Sequence, residues 1–203
     1  MSSGIQPKNR YALKEWAVVV KALASGRQIL LLRKGGIMED QGGFTVEHTQ
    51  FFLYPTYVHE QAERILPETA EGLNEILREK PEENRVLFDA YGVVEEAFLV
   101  NEIKQMRHLR PYHILADHEI ESRFYYRDRP GLYVVLLRMY RMNTPIELTV
   151  TKEYAGCKSW VDLGVDLPTA GCRPVFSDEA FEARIQTIRS SLNKAIAKQS
   201  KTR

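Results

Sequence analysis

Leu30-Leu31-Leu32-Arg33-Lys34-Gly35-Gly36-Ile37 is the stretch on which the fold turns. An apolar run stops abruptly at two cations and two glycines. A buried strand is weakened by Gly-Gly, so the sequence predicts a strand that ends here, with two positive charges at its mouth beside backbone that a ligand can approach closely. Upstream, Leu13, Trp16, Val20 and Leu23 fall at helical spacing and predict a helix from Tyr11, closed by Gly26 as a left-handed cap. The β-branched run Val18-Val19-Val20 supports the competing reading, a hairpin of Ala17–Ala24 and Gln28–Leu32.

Downstream, Phe51-Phe52-Leu53-Tyr54 reads as a strand broken by Pro55. A helix over Tyr57–Leu66 capped by Thr56 follows, then a second over Ala70–Glu79 capped by Thr69. Pro81-Glu82-Glu83-Asn84 is the most linker-like segment. The second half reads as strands at Arg85–Val100, Leu132–Tyr140 and Ile146–Val150, with Asn143-Thr144-Pro145 as a turn and a short helix over Val100–Leu109. Ser177 opens a final helix with acids in its first turn and the apolar stripe Phe181, Ile185, Ile188, Leu192 and Ile196. The expected fold is α+β: an N-terminal helix/strand lobe over residues 11–80, a β-rich second half over 85–176, and a C-terminal helix and tail over 177–203. Residues 1–10 read as a disordered leader; the alternative is one continuous domain over 11–198.

Bulk properties narrow the function classes. Of 203 residues, 44% are hydrophobic and 27% charged, the proportions of a globular chain. The net charge of +1 gives no global polyelectrolyte signal, so nucleic-acid binding must come from local patches. Two cysteines, Cys157 and Cys172, are too few for a disulfide framework. Met1–Gln6 lacks a signal-type apolar core, and no run approaches the roughly twenty apolar residues of a membrane span. The expectation is a cytoplasmic protein with no membrane partner and no cofactor.

The strings Leu13-Lys14-Glu15-Trp16-Ala17, Leu32-Arg33-Lys34-Gly35-Gly36-Ile37, Leu53-Tyr54-Pro55-Thr56-Tyr57 and Gly156-Cys157-Lys158-Ser159-Trp160 together resemble the prokaryotic family called domain of unknown function 1802, over about Tyr11–Leu163. The family supplies no catalytic residues to carry over. Its implied context is a restriction or defence system, because some relatives are joined to a restriction-endonuclease-like domain.

Several constellations offer chemistry. Arg33, Lys34, Gly35 and Gly36 suit an anion: a bidentate fork, a point charge and free backbone N–H groups. The competing reading is a solvated turn with both cations paired to Glu39 or Asp40. Neither a Walker A loop nor a GxGxxG fingerprint is present. His59 and Glu60, near a helix start, are acid/base candidates. Glu47-His48 with His59 does not make a convincing metal site, since a two-His, one-carboxylate centre needs converging ligands and these three sit on different elements. Asp89 with Glu102-Ile103-Lys104 matches a nuclease-type pattern only if residues 102–104 lie on a strand. Lys158 and Trp160 suit a phosphate and a stacked base, whereas Cys157 reads as a core residue. Arg123, Tyr125 and Arg127, within Arg123-Phe124-Tyr125-Tyr126-Arg127-Asp128-Arg129, suit bases on rings and phosphates on guanidiniums; the alternative is an edge strand.

No complete catalytic motif is present. The leading reading is a nucleic-acid-associated binding module. The alternatives are an enzyme acting on a phosphorylated or nucleotide-like small molecule, with Arg33 and Lys34 on the phosphate, and a module that binds a protein partner.

Overall fold

A computed structural model describes residues 4–34, 46–57, 61–154, 156 and 158–199. The expectations for Gly35, Gly36, Glu39, Asp40, His59, Glu60 and Cys157 lie outside these residues. Among the described residues, seven strands form one mixed sheet: β1 (Lys8–Trp16), β2 (Leu30–Arg33), β3 (Gln50–Thr56), β4 (Arg85–Val100), β5 (Leu132–Thr149), β6 (Trp160–Pro168) and β7 (Arg173–Pro174). The order is β2-β5-β4-β3-β1-β6, with β7 also on β5. Five α-helices accompany it: α1 (Ala17–Ala24), α2 (Pro67–Arg78), α3 (Ile103–Met106), α4 (Asp117–Phe124) and α5 (Asp178–Gln199). The protein is α+β with a C-terminal helix, as the sequence predicts.

Period-two alternation divides the apolar residues between two cores. Leu13, Phe51 and Leu53 face a core shared with the helices, which also takes α1, β2 and the α5 residues Phe181, Ile185, Ile188 and Leu192. Their neighbours Ala12, Phe52 and Tyr54 face a second core built between strands, with Phe88, Tyr91, Val161 and Leu163. Edge-to-face pairs of Phe52 with Phe88 and Tyr91 order that second core. Its one buried polar knot is satisfied: Asn9 Nδ2 donates to the Tyr91 hydroxyl at 2.9 Å, and that hydroxyl donates to Gln50 Oε1 at 3.2 Å.

Four local expectations are corrected. Residues 11–16 are strand, not helix. They sit between β3, in parallel register, and β6, in antiparallel register, and those ladders outweigh a fortuitous helical spacing. The valines are helical because α1 is buried at every position except Lys21, so burial rather than propensity decides. Pro55 does not end β3. It pairs only with β1, because the β4 ladder stops at Phe52, leaving its missing N–H without consequence. Over the described part of 57–66 there is only a 3₁₀ turn, Ala62–Arg64; the next α-helix starts at Pro67, with Leu66 rather than Thr69 before it. Asn143-Thr144-Pro145 is a wide bulge, not a hairpin turn: Ala90 pairs with Arg141 and Phe88 with Ile146, so residues 142–145 oppose Asp89 alone. The expected Ser177 cap is present, with the Ala180 N–H donating to Ser177 Oγ at 3.3 Å.

Candidate nucleic-acid interface

The C-terminal ends of β1 and β2 meet the end of α4, and the charges there are knitted to one another. Arg33 Nη1 donates to Glu15 Oε2 at 2.8 Å and to the Lys14 carbonyl at 3.0 Å. The Glu15 side chain is buried, 4% exposed, and that of Arg33 is partly buried, 13% exposed. Glu15 Oε1 also accepts from the Trp16 N–H, and the Thr56 hydroxyl donates to the Glu15 carbonyl. Arg123 Nε donates to Glu119 Oε1 at 2.6 Å and Nη1 to the Leu32 carbonyl at 3.2 Å. The Arg123 and Arg64 guanidiniums lie 4.4 and 5.8 Å from the Trp16 ring centroid. Three arginines thus share two carboxylates around one indole.

Lys34 performs a different task. Its ammonium donates to the carbonyls of Phe124 at 2.8 Å and Gly131 at 3.0 Å, and to that of Arg129. An ammonium has three donors, so these carbonyls use all of them. Burial, and then the charge of Arg129, lower the Lys34 pKa. The two cations expected to face an anion are therefore turned inward, Arg33 on a carboxylate and Lys34 on a loop.

That loop is the Arg/aromatic segment. It is not an edge strand: α4 ends at Phe124, and a turn over Tyr126–Asp128 leads to β5. Arg123 points inward, whereas Tyr125 and Tyr126 are 51% and 53% exposed, and Arg127 and Arg129 are exposed too. The Arg127 guanidinium lies 5.2 Å from the Tyr126 ring centroid. Arg127 and Asp128 both adopt left-handed backbone, at φ 58° and 53°. Such residues cost on the order of 1–3 kcal/mol each and persist only where the surroundings hold them. Here the Lys34 ammonium and the Gly131 N–H, which donates to the Phe124 carbonyl at 3.1 Å, close the loop.

A second aromatic surface lies across β1 and β6, in an open groove of about 700 Å³. The Tyr11 and His48 rings stack at 3.7 Å, and Trp160 meets His48 edge-on at 4.9 Å. The Trp160 indole N–H is buried and has no acceptor among the described residues. Burial lowers the His48 pKa against the pull of Glu47, which favours the neutral ring. Arg10, paired with Asp162 at 2.8 Å, and Lys158 are the groove's cations; Glu47, Glu153 and Asp162 are its acids. Lys158 and Trp160 both line this groove, joined by Tyr11, a residue that the sequence places at the start of a helix with no ligand role.

The nuclease-type candidates do not converge. Asp89 lies on β4 opposite the β5 bulge, while Glu102 precedes α3 and Lys104 lies within it, beyond the strand's end. Residues 102–104 therefore lack the alternating geometry that the pattern needs. Among the described residues no group of three His, Cys, Asp or Glu side chains could hold a metal ion. No described helix is long and apolar enough to cross a membrane.

The family model described as domain of unknown function (DUF1802) matches residues 12–187, and the chain belongs to that family. No curated protein matches it. Among solved structures it is similar to ASCH from Zymomonas mobilis, at 12% identity over 71% of this chain and 89% of that one, with a TM-score of 0.38. Two mutant forms of that protein give 10% identity over 71% and 76% of the two chains, TM-score 0.38, and 11% over 90% and 98%, TM-score 0.40.

Proposed function

We propose that this DUF1802 protein is a nucleic-acid-binding module that grips an unpaired strand with the Phe124–Gly131 loop. The observation that carries the reading is the loop itself: two half-exposed tyrosines and two exposed arginines around the left-handed pair Arg127-Asp128, in a loop held by Lys34. Rings at that exposure offer stacking faces to bases of any sequence, and guanidiniums beside them reach the phosphates. The groove of Tyr11, His48 and Trp160 is a second stacking surface. Its three acids suit a base edge better than a phosphate. The restriction or defence context implied by the family resemblance fits such a module.

The test is fluorescence polarisation of labelled single- and double-stranded DNA and RNA over a salt series. The wild type should prefer single strands and lose affinity steeply with salt. Tyr125→Ala/Tyr126→Ala should weaken single-strand binding by about tenfold or more. Arg127→Ala/Arg129→Ala should flatten the salt slope by about one to two phosphate contacts. Absence of binding at low salt, or binding indifferent to both double variants, would sink the reading.

A further inference from the structure

A cleft of about 300 Å³ opens between the start of β2 and the flank of α5. Ile29, the Tyr112 ring and Ile188 give it an apolar floor. Gly26-Arg27 forms one rim, Arg184 and Thr187 the other. Two arginines line this cleft and no acid does. Elsewhere the chain matches its buried or half-buried arginines to carboxylates: Arg33 to Glu15, Arg123 to Glu119, Arg138 to Asp178, Arg189 to Glu96. Arg27 and Arg184 are exposed, and neither forms an ion pair among the described residues.

The arginines are also positioned. The Arg184 guanidinium lies 4.1 Å from the Phe176 ring centroid, and stacking of that kind leaves the N–H edge available to a planar acceptor. Gly26 adopts φ 76°, and a Cβ there would fall 2.4 Å from the same Phe176 ring. Phe176 thus supports both rims and sets their separation. Two unpaired forks over an apolar floor attract an anion with a hydrophobic body, and the volume sits at the lower end of the roughly 300–1,000 Å³ range of small-molecule sites.

We propose that this cleft binds a small organic anion, with a phosphate-monoester or carboxylate head on Arg27 and Arg184 and an apolar body over Ile29, Tyr112 and Ile188. The site is separate from the Phe124–Gly131 loop, so it stands or falls independently of nucleic-acid binding.

Calorimetric titration of the full chain with phenyl phosphate, benzoate, inorganic phosphate and benzyl alcohol tests it. Phenyl phosphate or benzoate should bind saturably, at least tenfold tighter than inorganic phosphate, with benzyl alcohol inert. Arg27→Gln/Arg184→Gln should abolish binding while leaving the melting temperature within a few degrees. Thr187→Glu, an exposed position that sets an acid beside Arg184 on the same rim, should abolish it as well. Equal binding of benzyl alcohol, no gain over inorganic phosphate, or unchanged affinity in both variants would overturn the proposal. So would loss of oligonucleotide binding in Arg27→Gln/Arg184→Gln, which would place these arginines on the polymer's path.

Discussion

Arg33 shows how a charge that reads as a ligand group becomes a structural one. Its guanidinium spans the ends of β1 and β2 and neutralises Glu15, which is 5% exposed. Removing one partner of a buried pair strands the other, so Arg33→Ala should cost about 3 kcal/mol in urea unfolding. Unchanged stability with weakened anion binding would return Arg33 to the role its sequence suggests. His113 is a second buried group with a measurable consequence. It is 4% exposed, and its Nδ1 accepts from the Leu115 N–H at 3.2 Å. Burial, and then the charge of Arg110, push its pKa down to about 4. The unfolded chain binds a proton near pH 6.5 and the folded one only near 4. Stability is therefore complete above about pH 6.5 and declines as pH falls toward 4, by about 3 kcal/mol. Urea unfolding of the wild type and His113→Gln at pH 7 and pH 4.5 checks this; the variant should lack that part of the slope.

Elements owe their positions to side chains distant in sequence. Lys34, at the end of β2, holds the turn between α4 and β5 through three carbonyls. Lys34→Met keeps the apolar stem and removes those bonds, so the left-handed pair Arg127-Asp128 should relax. Tryptic cleavage after Arg127 should then accelerate on the order of tenfold. Equal cleavage rates would mean that the loop holds its shape without Lys34. The helix/strand error at Tyr11–Trp16 belongs to this scale as well. A six-residue segment flanked by two partner strands has its conformation chosen by ladders to residues 52–56 and 160–162, and local spacing carries no record of them. Where an element's stabilisation is local, as in α5 with its Ser177 cap, first-turn acids and apolar stripe, reading and structure agree.

Over the whole molecule, segments from the two halves share one sheet. Leu30–Arg33 pairs with Tyr133–Leu136, and β1 lies between β3 and β6. α5 contributes to the same core as α1 and β2. The two-lobe division at Pro81–Asn84 thus crosses no gap in the hydrogen-bonding network. Heat or urea should unfold the chain in one transition, coincident by near- and far-ultraviolet circular dichroism. Two separated transitions, or a fragment over 85–203 that folds alone, would favour two lobes over one continuous domain.

The sequence by itself determined the α+β class, the strand ending at Arg33–Lys34, the closing helix and family membership. These rest on apolar periodicity, chain-breaking residues and short strings, all of which are local. Only the tertiary structure decided that Arg33 and Lys34 face inward, that the tyrosines beside Arg127 face out, and that Tyr11, His48 and Trp160 share a groove. It alone also set Arg27 and Arg184 on one cleft. A side chain's freedom to meet a ligand depends on which distant groups have already satisfied it, and that pairing exists only once β1, β2, α4 and α5 are packed together.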